Sequence, residues 1–475
     1  MQLQDSEIIR KDALKWVTSN KVRLIKVAHK IWEYAETSME EVKSSKLLAD
    51  ELEKEGFSIE LGVASIPTAF VATYGSGHPV IGFLGEYDAL PNLSQRALPK
   101  KEPLEGGANG HGCGHNLLGT GAAGGIMAAK YAMQKDDLPG TVKYFGCPAE
   151  ETLVGKVFMT KAGLFNDVDV ALTWHPWFSN TVWMASTLAM NSVKFRFRGL
   201  TAHAAASPEV GRSALDAVEL MDVGANYLRE HIIPEARIHY VVTCGGEAPN
   251  IIPDFAEVWY FVRAPKQSDV EAIYDRVCEI ANGAALMTGT KVDIVFVTAT
   301  WEYLPSKVLS DLLYRNLKEV GPPRFSKEEK QFAREIAEKF PEEQKKRMSM
   351  AYNVPELEKA VKSNLIEYVS PPIDAGKTLP ISTDIGEVSA KVPTAQCFTC
   401  SFVLGSTLHS WQAAAAAGMG IGHKGMVVAS KALALTAIDL ITKPQWLRKV
   451  RDEFENRTTI YKSSIPKGLE PPLSP

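Results

Sequence analysis

Hydrophobic and polar positions follow two different periods along the first 185 residues of the chain. Segment 38–57 repeats apolar residues at helical spacing and ends at Gly56, a typical helix stop. Short apolar runs of the kind found in buried strands lie between such segments, at 79–85, 141–146 and 168–175. Helices that alternate with buried strands predict an α/β fold, here a three-layer α/β/α sandwich with a largely parallel sheet. Open sheets of this class place their binding sites at the carboxyl ends of the strands.

The pattern changes near residue 190. Residues 191–299 predict strand, helix, strand, strand, helix and strand, which is the order of a small ferredoxin-like α+β unit. The predicted strands and helices of this unit are, in chain order, 191–199, 211–231, 236–246, 256–264, 268–285 and 291–299. Because α/β patterns return afterwards, we predict that this unit is inserted into the larger domain.

The remaining chain completes the larger domain. The charge-rich segment 321–347 predicts a solvated helical insertion, and it is followed by a strand at 394–400 and a helix at 423–441. The tail 465–475 is rich in proline and predicts disorder. The predicted domains are therefore a larger α/β domain in two parts, 1–188 and 301–475, and the inserted ferredoxin-like domain at 189–300.

Composition narrows the class of protein without naming its chemistry. The 475 residues are 45 % hydrophobic and 23 % charged, with a formal charge of -4 and a pI near 6.3. This balance leaves no basic surplus for nucleic acid or an anionic membrane surface. The amino terminus lacks the apolar region of a signal peptide, and His423 and Lys424 interrupt the richest apolar run. We therefore expect a cytoplasmic protein without a membrane span.

The six cysteines are too few for a disulfide scaffold. Cys397 and Cys400 form a C-x-x-C pair, but no second pair stands at zinc-ribbon spacing. We expect both to be small apolar residues on a buried strand.

Gly119, Gly121 and Gly124 spell G-x-G-x-x-G, the fingerprint of a dinucleotide-binding turn. Such a turn must follow a strand immediately, so that backbone N–H groups at a helix start meet the pyrophosphate. Here "HGCGHNLL" precedes the glycines. The pattern favours a helix that packs closely against the sheet.

Side chains suited to a metal ion stand at several predicted strand ends. They are Glu86 and Asp88 after the first run, Cys113 and His115 after a loop, Glu150 and Glu151 after the second run, and His175 in the third. A solvated acidic turn would explain a lone Glu-Glu pair but not residues at four successive places. Two divalent ions need ligands on separate rigid elements, with one further carboxylate left free to carry protons. The sequence therefore predicts a two-metal cleft.

The motifs "EYDALP", "HGCGHN", "PAEET", "WHPW", "GLTAHAA" and "NIIPD" together resemble one family over essentially the whole chain. It is the family of dinuclear metallopeptidases and amidohydrolases that includes aminoacylases, carboxypeptidase G and bacterial hippurate hydrolase. With the late "LHSWQ" and "GHKGM", the chain is most similar to the aminobenzoyl-glutamate utilisation branch of that family.

The resemblance implies a set of metal ligands, namely Cys113, His115, Glu151, His175 and His409. It implies Glu150 as the general base and Asp88 as an acid beside a ligand. It also implies two divalent ions per subunit, zinc or manganese first, with cobalt and nickel as alternatives. At Glu86 the chain departs from its relatives, many of which have a histidine or aspartate there, so contact between Glu86 and metal stays open. His423 competes with His409 for the last ligand position.

The resemblance implies that 1–188 and 301–475 form a catalytic domain and that the inserted unit at 189–300 is a lid and dimerisation domain. Three residues of this lid match family positions that bind the substrate carboxylate or polarise the scissile carbonyl, often across a dimer interface. They are His203, Asn250 and Arg263. The planar fork of an arginine suits a carboxylate, and His203 would stabilise the oxyanion. Structural alternatives are a turn cap for Asn250 and a surface ion pair for Arg263.

The implied activity is hydrolysis of the amide bond of an N-acyl amino acid, with p-aminobenzoyl-glutamate preferred. A dipeptidase or aminoacylase acting on other N-acyl amino acids or unusual dipeptides is the alternative. The expected assembly is a homodimer, and a second, dissimilar subunit stays open. Two other classes are a cysteine hydrolase using Cys113, for which no separate base is evident, and a scaffold protein, which a broken ligand set would mark.

Overall fold

A computed structural model describes residues 3–351, 356–372, 374–457 and 460–473. The strands are β1 (Ser58–Leu61), β2 (Phe70–Ser76), β3 (Val80–Glu86), β4 (Gly140–Cys147), β5 (Val170–Trp177), β6 (Thr181–Val182), β7 (Ala189–Arg198), β8 (Arg237–Cys244), β9 (Phe255–Ala264), β10 (Lys291–Thr300) and β11 (Thr394–Cys400). The helices are α1 (Leu3–Tyr34), α2 (Val42–Lys54), α3 (His115–Lys135), α4 (Gly155–Lys161), α5 (Ala214–Leu228), α6 (Gln267–Thr288), α7 (Lys307–Val320), α8 (Lys327–Ala337), α9 (Glu342–Ala351), α10 (Leu357–Ser363), α11 (Ile385–Lys391), α12 (Trp411–Ala417), α13 (Gly420–Thr442) and α14 (Pro444–Glu455).

The larger sheet has seven strands in the order β1-β2-β4-β3-β5-β11-β6. The four central strands, β4, β3, β5 and β11, run parallel to one another, whereas β1, β2 and β6 pair antiparallel. The prediction of a largely parallel sheet is therefore wrong for the outer strands. The link between β1 and β2 spans only residues 62–69, and a parallel pair needs a longer crossover connection.

Helices cover both faces of this sheet. On one face α3 packs between the sheet, α1 and α13, and on the other α4 packs with α11. A Cβ atom at Gly121 would lie 2.6 Å from the indole of Trp174, and one at Gly119 would lie 2.4 Å from the carbonyl oxygen of Glu86. Gly119 and Gly121 thus let α3 approach the sheet closely, whereas Gly124 faces Ser430 of α13 and Leu24 of α1. The predicted three-layer α/β/α class is confirmed.

A second sheet stands apart in the order β10-β7-β9-β8, with every neighbouring pair antiparallel. Helices α5 and α6 pack together against it and enclose a separate apolar core. The element order and strand order are those of the predicted ferredoxin-like unit. The predicted domain boundaries at 188/189 and 300/301 stay predictions.

Two segments are more firmly packed than their composition indicates. Helix α8 lies in the segment expected to be solvated, yet it buries Phe332 and Ile336, which stand four residues apart on one face. In the tail expected to be disordered, Ile465 is 5 % exposed, and the carbonyl of Leu469 accepts a hydrogen bond from Lys161. Helices α8 and α9 agree with the helical prediction for 321–347, but the expectation of solvation is wrong for the buried face of α8. The expectation of disorder is wrong for 465–473, and residues 474–475 lie outside the described part of the chain. A few well-spaced apolar side chains suffice to anchor a segment that is otherwise polar.

Helix α13 is long and apolar enough to cross a membrane by length and composition alone. Its most apolar stretch is 83 % buried within the fold, where α13 packs against α1, α3 and α7. His423 and Lys424 stand at the start of the helix, so the expectation that they interrupt the apolar run is wrong. Burial identifies α13 as a core helix.

Cys397 and Cys400 are both buried on β11, as expected, and neither forms a disulfide. Cys397 contributes to the apolar core on one face of the sheet and Cys400 to the core on the other. Residues three apart on a strand point to opposite faces, so the pair cannot share a metal ion.

Candidate metal centre and substrate cleft

A cavity of about 540 Å³ opens where the parallel strands β3, β4 and β5 end. Glu86 is the last residue of β3, and Glu150 and Glu151 follow β4 after a two-residue link. His175 lies in the last part of β5. Since neighbouring parallel strands end at the same edge, side chains far apart in the chain meet in one cleft.

Five side chains form two overlapping groups of possible metal ligands. One group is Cys113, His115 and His175, and the other is Cys113, Glu151 and His409; within each group the ligand atoms lie within 4.8 Å of one another. The Sγ atom of Cys113 lies 3.4 Å from Nε2 of His175, and Nε2 of His409 lies 3.2 Å from Oε2 of Glu151. The structure therefore brings together all five residues that the family resemblance implied, with Cys113 common to both groups.

The charges of the two groups favour Cys113 as a thiolate and keep protons on the imidazoles around it. Burial alone would raise the pKa of the Cys113 thiol, but the imidazoles of His115 and His175 outweigh burial and hold that pKa well below its ordinary value. Hydrogen bonds to Cys113 and Glu151 raise the pKa of His409 to about 10. Cys113 is thus favoured as a thiolate, the form that binds metal.

Backbone and carboxylate partners orient the imidazoles. Nδ1 of His115 lies 2.8 Å from Oδ1 of Asp88, and Nδ1 of His175 lies 2.8 Å from the carbonyl oxygen of Pro176. Both rings therefore turn Nε2 towards the cleft, as metal-binding histidines do. Asp88 also accepts the N–H of Glu151 at 2.9 Å and does not itself line the cavity. Asp88 positions His115 rather than contacting a substrate.

Three buried polar atoms at this end of the cavity have no hydrogen-bond partner among the described residues. They are Oε2 of Glu86, Nε2 of His115 and Oε1 of Glu151. A buried carboxylate oxygen without a donor is costly, whereas a cation between such atoms removes the cost. Their donor chemistry therefore fits divalent metal ions.

Glu86 forms an ion pair with a buried lysine, Lys156, that no sequence motif marks. Its Oε1 lies 2.8 Å from Nζ of Lys156, and Lys156 also pairs with Asp384; all three side chains are buried. Oε2 of Glu86 lies 3.4 Å from Nε2 of His115, in a third group of possible ligands with Glu150. Nothing in the segment "VGKVF" around Lys156 distinguishes it from an ordinary helix start, so no local signal could have revealed it.

Glu150 lies beside the two groups that share Cys113 without belonging to either. Its Oε1 accepts the hydroxyl of Thr383 at 2.8 Å, and its Oε2 lies 3.8 Å from Nε2 of His115. Burial, followed by the nearby Glu86, raises the pKa of Glu150 well above its ordinary value. A carboxyl group with a raised pKa that faces a cleft is suited to proton transfer.

The two late histidines lie in different environments. His409 lines the cavity at a left-handed φ of 58°, held by its N–H to the carbonyl of Gly112 at 3.0 Å. His423 lies outside the cavity lining, 6.4 Å from the ring of His29, and burial lowers its pKa to about 4. Of the two candidates, the structure places His409 at the cleft.

The three lid residues are not equivalent. Arg263 lines the cavity, and its Nε has no partner among the described residues. His203 and Asn250 are exposed on the lid and do not line this cavity, and Nδ1 of His203 accepts the N–H groups of Ala205 and Ala206. Within one chain, the structure does not bring these two residues to the cleft.

An aromatic wall extends from the metal-ligand groups along the cavity. The ring of Trp177 lies 6.0 Å from His175 and stacks on Phe398 at 5.0 Å, and Trp183 lies 5.5 Å from Phe398. No sequence motif marks Phe398 or Trp183, because Phe398 lies on β11 and Trp183 follows β6, outside every motif that points to the metal ligands. The wall offers a flat apolar surface to an aromatic ligand.

Comparison with known proteins finds a matching family, similar sequences and a similar fold. Residues 82–416 match the family described as peptidase family M20/M25/M40. The chain is 42 % identical to one of the subunits of the p-aminobenzoyl-glutamate hydrolase of Escherichia coli (strain K12), over 96 % of this chain and 97 % of that protein. It is 29 % identical to the Xaa-Arg dipeptidase of Mus musculus, over 94 % and 93 % of the two chains. Its fold is similar to that of an aminobenzoyl-glutamate utilization protein from Klebsiella pneumoniae, with a TM-score of 0.60, 18 % identity and coverage of 90 % and 97 %.

Proposed function

The chain belongs to peptidase family M20/M25/M40, and from this premise we propose that it hydrolyses p-aminobenzoyl-glutamate to p-aminobenzoate and glutamate. The chain is a metal-dependent amide hydrolase. The observation that carries the proposal is the single cleft in which two ligand groups share Cys113 beside Glu150 and the aromatic wall.

Two divalent ions are proposed for the cleft. Cys113, His115 and His175 would hold one, and Cys113, Glu151 and His409 would hold the other. Thiolate and imidazole ligands favour zinc, and the carboxylates also suit manganese. When bound, such ions polarise an amide carbonyl and lower the pKa of water.

Glu150 is proposed as the proton carrier. Oε2 of Glu150 takes a proton from the attacking water and later returns it to the leaving amine. The hydrogen bond from Thr383 to Oε1 holds the carboxyl group in place during both transfers. Because Glu150 is outside the two ligand groups that share Cys113, its loss should leave the metal content intact.

The rest of the cavity supports the substrate. The aromatic wall of Trp177, Phe398 and Trp183 gives the aminobenzoyl ring a surface to stack on. Arg263 offers a guanidinium group to a carboxylate of the glutamate. Hippurate would lack part of these contacts, so it should be the poorer substrate.

A homodimer is proposed as the active assembly. His203 and Asn250 are exposed on the lid, away from their own cleft, and so could serve the cleft of a second copy. The edge strand β8 exposes Val241 and Val242, which favours pairing with another chain. A second, dissimilar subunit is also proposed, because the Escherichia coli relative is itself named as one subunit of a hydrolase. Light scattering of the purified chain, alone and with such a subunit, tests both assemblies.

Cleavage of a dipeptide with a basic residue is the second candidate function. The observation that favours it is the 29 % identity to a protein named as an Xaa-Arg dipeptidase, over 94 % of this chain. A substrate panel of p-aminobenzoyl-glutamate, hippurate and dipeptides with carboxyl-terminal arginine separates the two candidates.

The decisive experiment compares the wild type with Glu150→Gln, and uses Glu60→Gln on the exposed face of β1 as the matched control. Glu150→Gln should keep the wild-type metal content, measured by elemental analysis, and lose turnover by about a hundredfold or more. Unchanged turnover would remove Glu150 as the base. Full activity after chelation, with loss on thiol alkylation, would favour a cysteine hydrolase instead.

A further inference from the structure

The buried polar atoms without partners around the cavity fall into two sets of opposite chemical character. At the metal-ligand end, the unpartnered carboxylate oxygens belong to Glu86 and Glu151. In the rest of the cavity lining the unpartnered atoms are Oγ1 of Thr181, Nε1 of Trp183, Nε of Arg263, Oγ of Ser370 and Oγ of Ser382. We call these five residues the donor end. The named atom of each has no hydrogen-bond partner among the described residues.

The fold gathers the donor end around one extended stretch of chain. Thr181 and Trp183 are two residues apart at β6, so their side chains share one side. Ser370 donates its N–H to the carbonyl of Asn180 at 2.8 Å, and so lies beside the same stretch. Further along, the carbonyl of Ile381, the residue before Ser382, accepts the N–H of Leu188 at 2.8 Å. Arg263 pairs with Met190 where this stretch enters the second sheet.

The chemistry of these atoms selects the charge of the ligand. Indole Nε1 and guanidinium Nε can only donate, and hydroxyl groups can donate as well. Trp183 and Ser370 are each 3 % exposed, so their unpaired groups have little access to water. A ligand group that accepts several hydrogen bonds at once would satisfy these donors, and a carboxylate is such a group.

The acid at this end does not supply that acceptor. Asp374 already accepts the backbone N–H groups of Met184 and Ala185, and burial raises its pKa. The amino group of an aminobenzoyl ring is also a poor match, because it offers Trp183 and Arg263 mainly N–H groups of its own.

We propose that the donor end binds a second carboxylate, the side-chain carboxylate of the amino acid in the substrate. The enzyme then selects N-acyl derivatives of acidic amino acids over their uncharged isosteres. This inference rests on the proposed function, since it assigns a specificity site to the same cleft. Of the donor-end residues, Trp183, Thr181 and Ser370 bind this side-chain carboxylate, whereas Arg263, which comes from β9, binds the other carboxylate of the amino acid.

The experiment compares p-aminobenzoyl-glutamate with p-aminobenzoyl-glutamine, which has the same shape but no side-chain charge. The metal-loaded wild type should prefer the glutamate substrate by about a hundredfold or more in kcat/KM. The neutral amide of glutamine has only one acceptor oxygen, so it leaves some of the buried donors of the site without a partner. Trp183→Phe keeps the aromatic ring and removes Nε1. We expect it to lower the glutamate-to-glutamine ratio about tenfold, mostly through KM for the glutamate substrate.

Ser310→Ala is the matched control, since Ser310 also carries a buried unpartnered hydroxyl but lies in α7 and does not line the cavity. It should leave the ratio unchanged. If Trp183→Phe lowers the yield of folded protein, Thr181→Val and Ser370→Ala test the same site, and each should lower the ratio. Thermal unfolding of each variant reports folding separately.

The outcomes separate this inference from the proposed function. p-Aminobenzoyl-arginine is added as a third substrate. If the glutamate and glutamine substrates are hydrolysed equally well, or the arginine substrate faster, the donor end does not bind a carboxylate, but the proposed amide hydrolysis stands. If the wild type hydrolyses none of these compounds, the proposed substrate is wrong. The carboxylate site is then tested by binding alone, with calorimetric affinities for p-aminobenzoyl-glutamate and p-aminobenzoyl-glutamine. Tighter binding of the glutamate compound that Trp183→Phe abolishes supports it, and equal affinities overturn it.

Discussion

Three buried charges behind the cleft depend on one another. Lys156 is the cation between Glu86 and Asp384, and Oδ2 of Asp384 also accepts the backbone N–H of Lys156 at 3.0 Å. Burial of an ion pair costs solvation, so each partner is stable only while the others remain. This arrangement fixes Oε1 of Glu86 and leaves Oε2 directed towards His115.

Lys156→Met should therefore be strongly destabilising. It leaves two carboxylates buried without their cation, which costs about 3–5 kcal/mol of unfolding free energy. Urea unfolding of the metal-depleted protein at pH 7 measures the loss. The control is Lys46→Met, which breaks the exposed pair with Asp50 and should cost about 0.5 kcal/mol or less. Equal losses for the two variants would contradict the mutual dependence of the buried charges.

At the scale of elements, α3 carries a ligand residue at its first position and small residues along the face that meets the sheet. His115 begins the helix, and Gly119 and Gly121 bring the helix backbone close to β3 and β5. Close contact with the sheet places His115 and Cys113 near the strand ends. The packing of α3 against the sheet therefore also sets the positions of these two ligand residues.

Two glycine substitutions should have opposite effects on stability. Gly121→Ala places a Cβ 2.6 Å from the buried Trp174 and should destabilise the protein by about 1–3 kcal/mol. Gly283→Ala, in the interior of α6, meets no atom within 4 Å and should stabilise it by about 0.5–1 kcal/mol. Denaturant unfolding of both variants measures the signs. A neutral Gly121→Ala would show that α3 can shift away from the sheet.

Helix α11 anchors the carboxyl-terminal tail through a buried acid. Glu387 accepts the hydroxyl of Tyr461 at 2.7 Å and that of Ser464 at 3.2 Å. Burial raises the pKa of Glu387 to about 7, although these hydrogen bonds oppose the rise. The folded protein therefore keeps a proton on Glu387 at a pH where the unfolded chain has lost it.

This proton makes stability depend on pH. Between the ordinary pKa of 4.5 and about 7, the unfolded state binds fewer protons than the folded state. Glu387 therefore lowers the unfolding free energy as pH rises, by about 1.4 kcal/mol per pH unit. Glu387→Gln should remove this part of the slope in urea unfolding at pH 5, 6 and 7, whereas the exposed Glu358→Gln should retain it. Identical slopes in the two variants would show that Glu387 is ionised in the folded protein.

At the scale of the whole molecule, the cleft joins distant parts of the chain. Cys113 precedes α3, Glu151 follows β4, and His409 belongs to the link between β11 and α12. Bound cations would tie these parts together and would neutralise the carboxylates collected at one edge of the sheet. Metal binding is thus expected to stabilise the fold as well as to support the chemistry.

Removal of metal should lower the thermal unfolding midpoint. A ligand that binds only the folded state stabilises it, so a chelator should reduce the midpoint by several degrees and zinc or manganese should restore it. Differential scanning calorimetry measures both changes. Cys113→Ala removes the side chain common to both ligand groups, and its midpoint should not respond to the chelator. A wild-type midpoint that ignores the chelator would contradict the proposed metal centre.

Much of this protein was determined by local sequence. Apolar runs predict β3, β4 and β5, and the residues after them carry the carboxylates and imidazoles, because strand ends are where an α/β sheet exposes side chains to a cleft. The ferredoxin-like order of the second sheet also follows from local periods.

Only the tertiary structure decided the rest, because it depends on contacts between residues far apart in the chain. It placed His409 rather than His423 at the cleft, paired Lys156 with Glu86, and gathered the donor end from β6, β9 and the segment before α11. It also left His203 and Asn250 outside their own cleft. A local sequence pattern indicates which side chains a segment exposes. The residues that these side chains contact depend on how distant segments pack together.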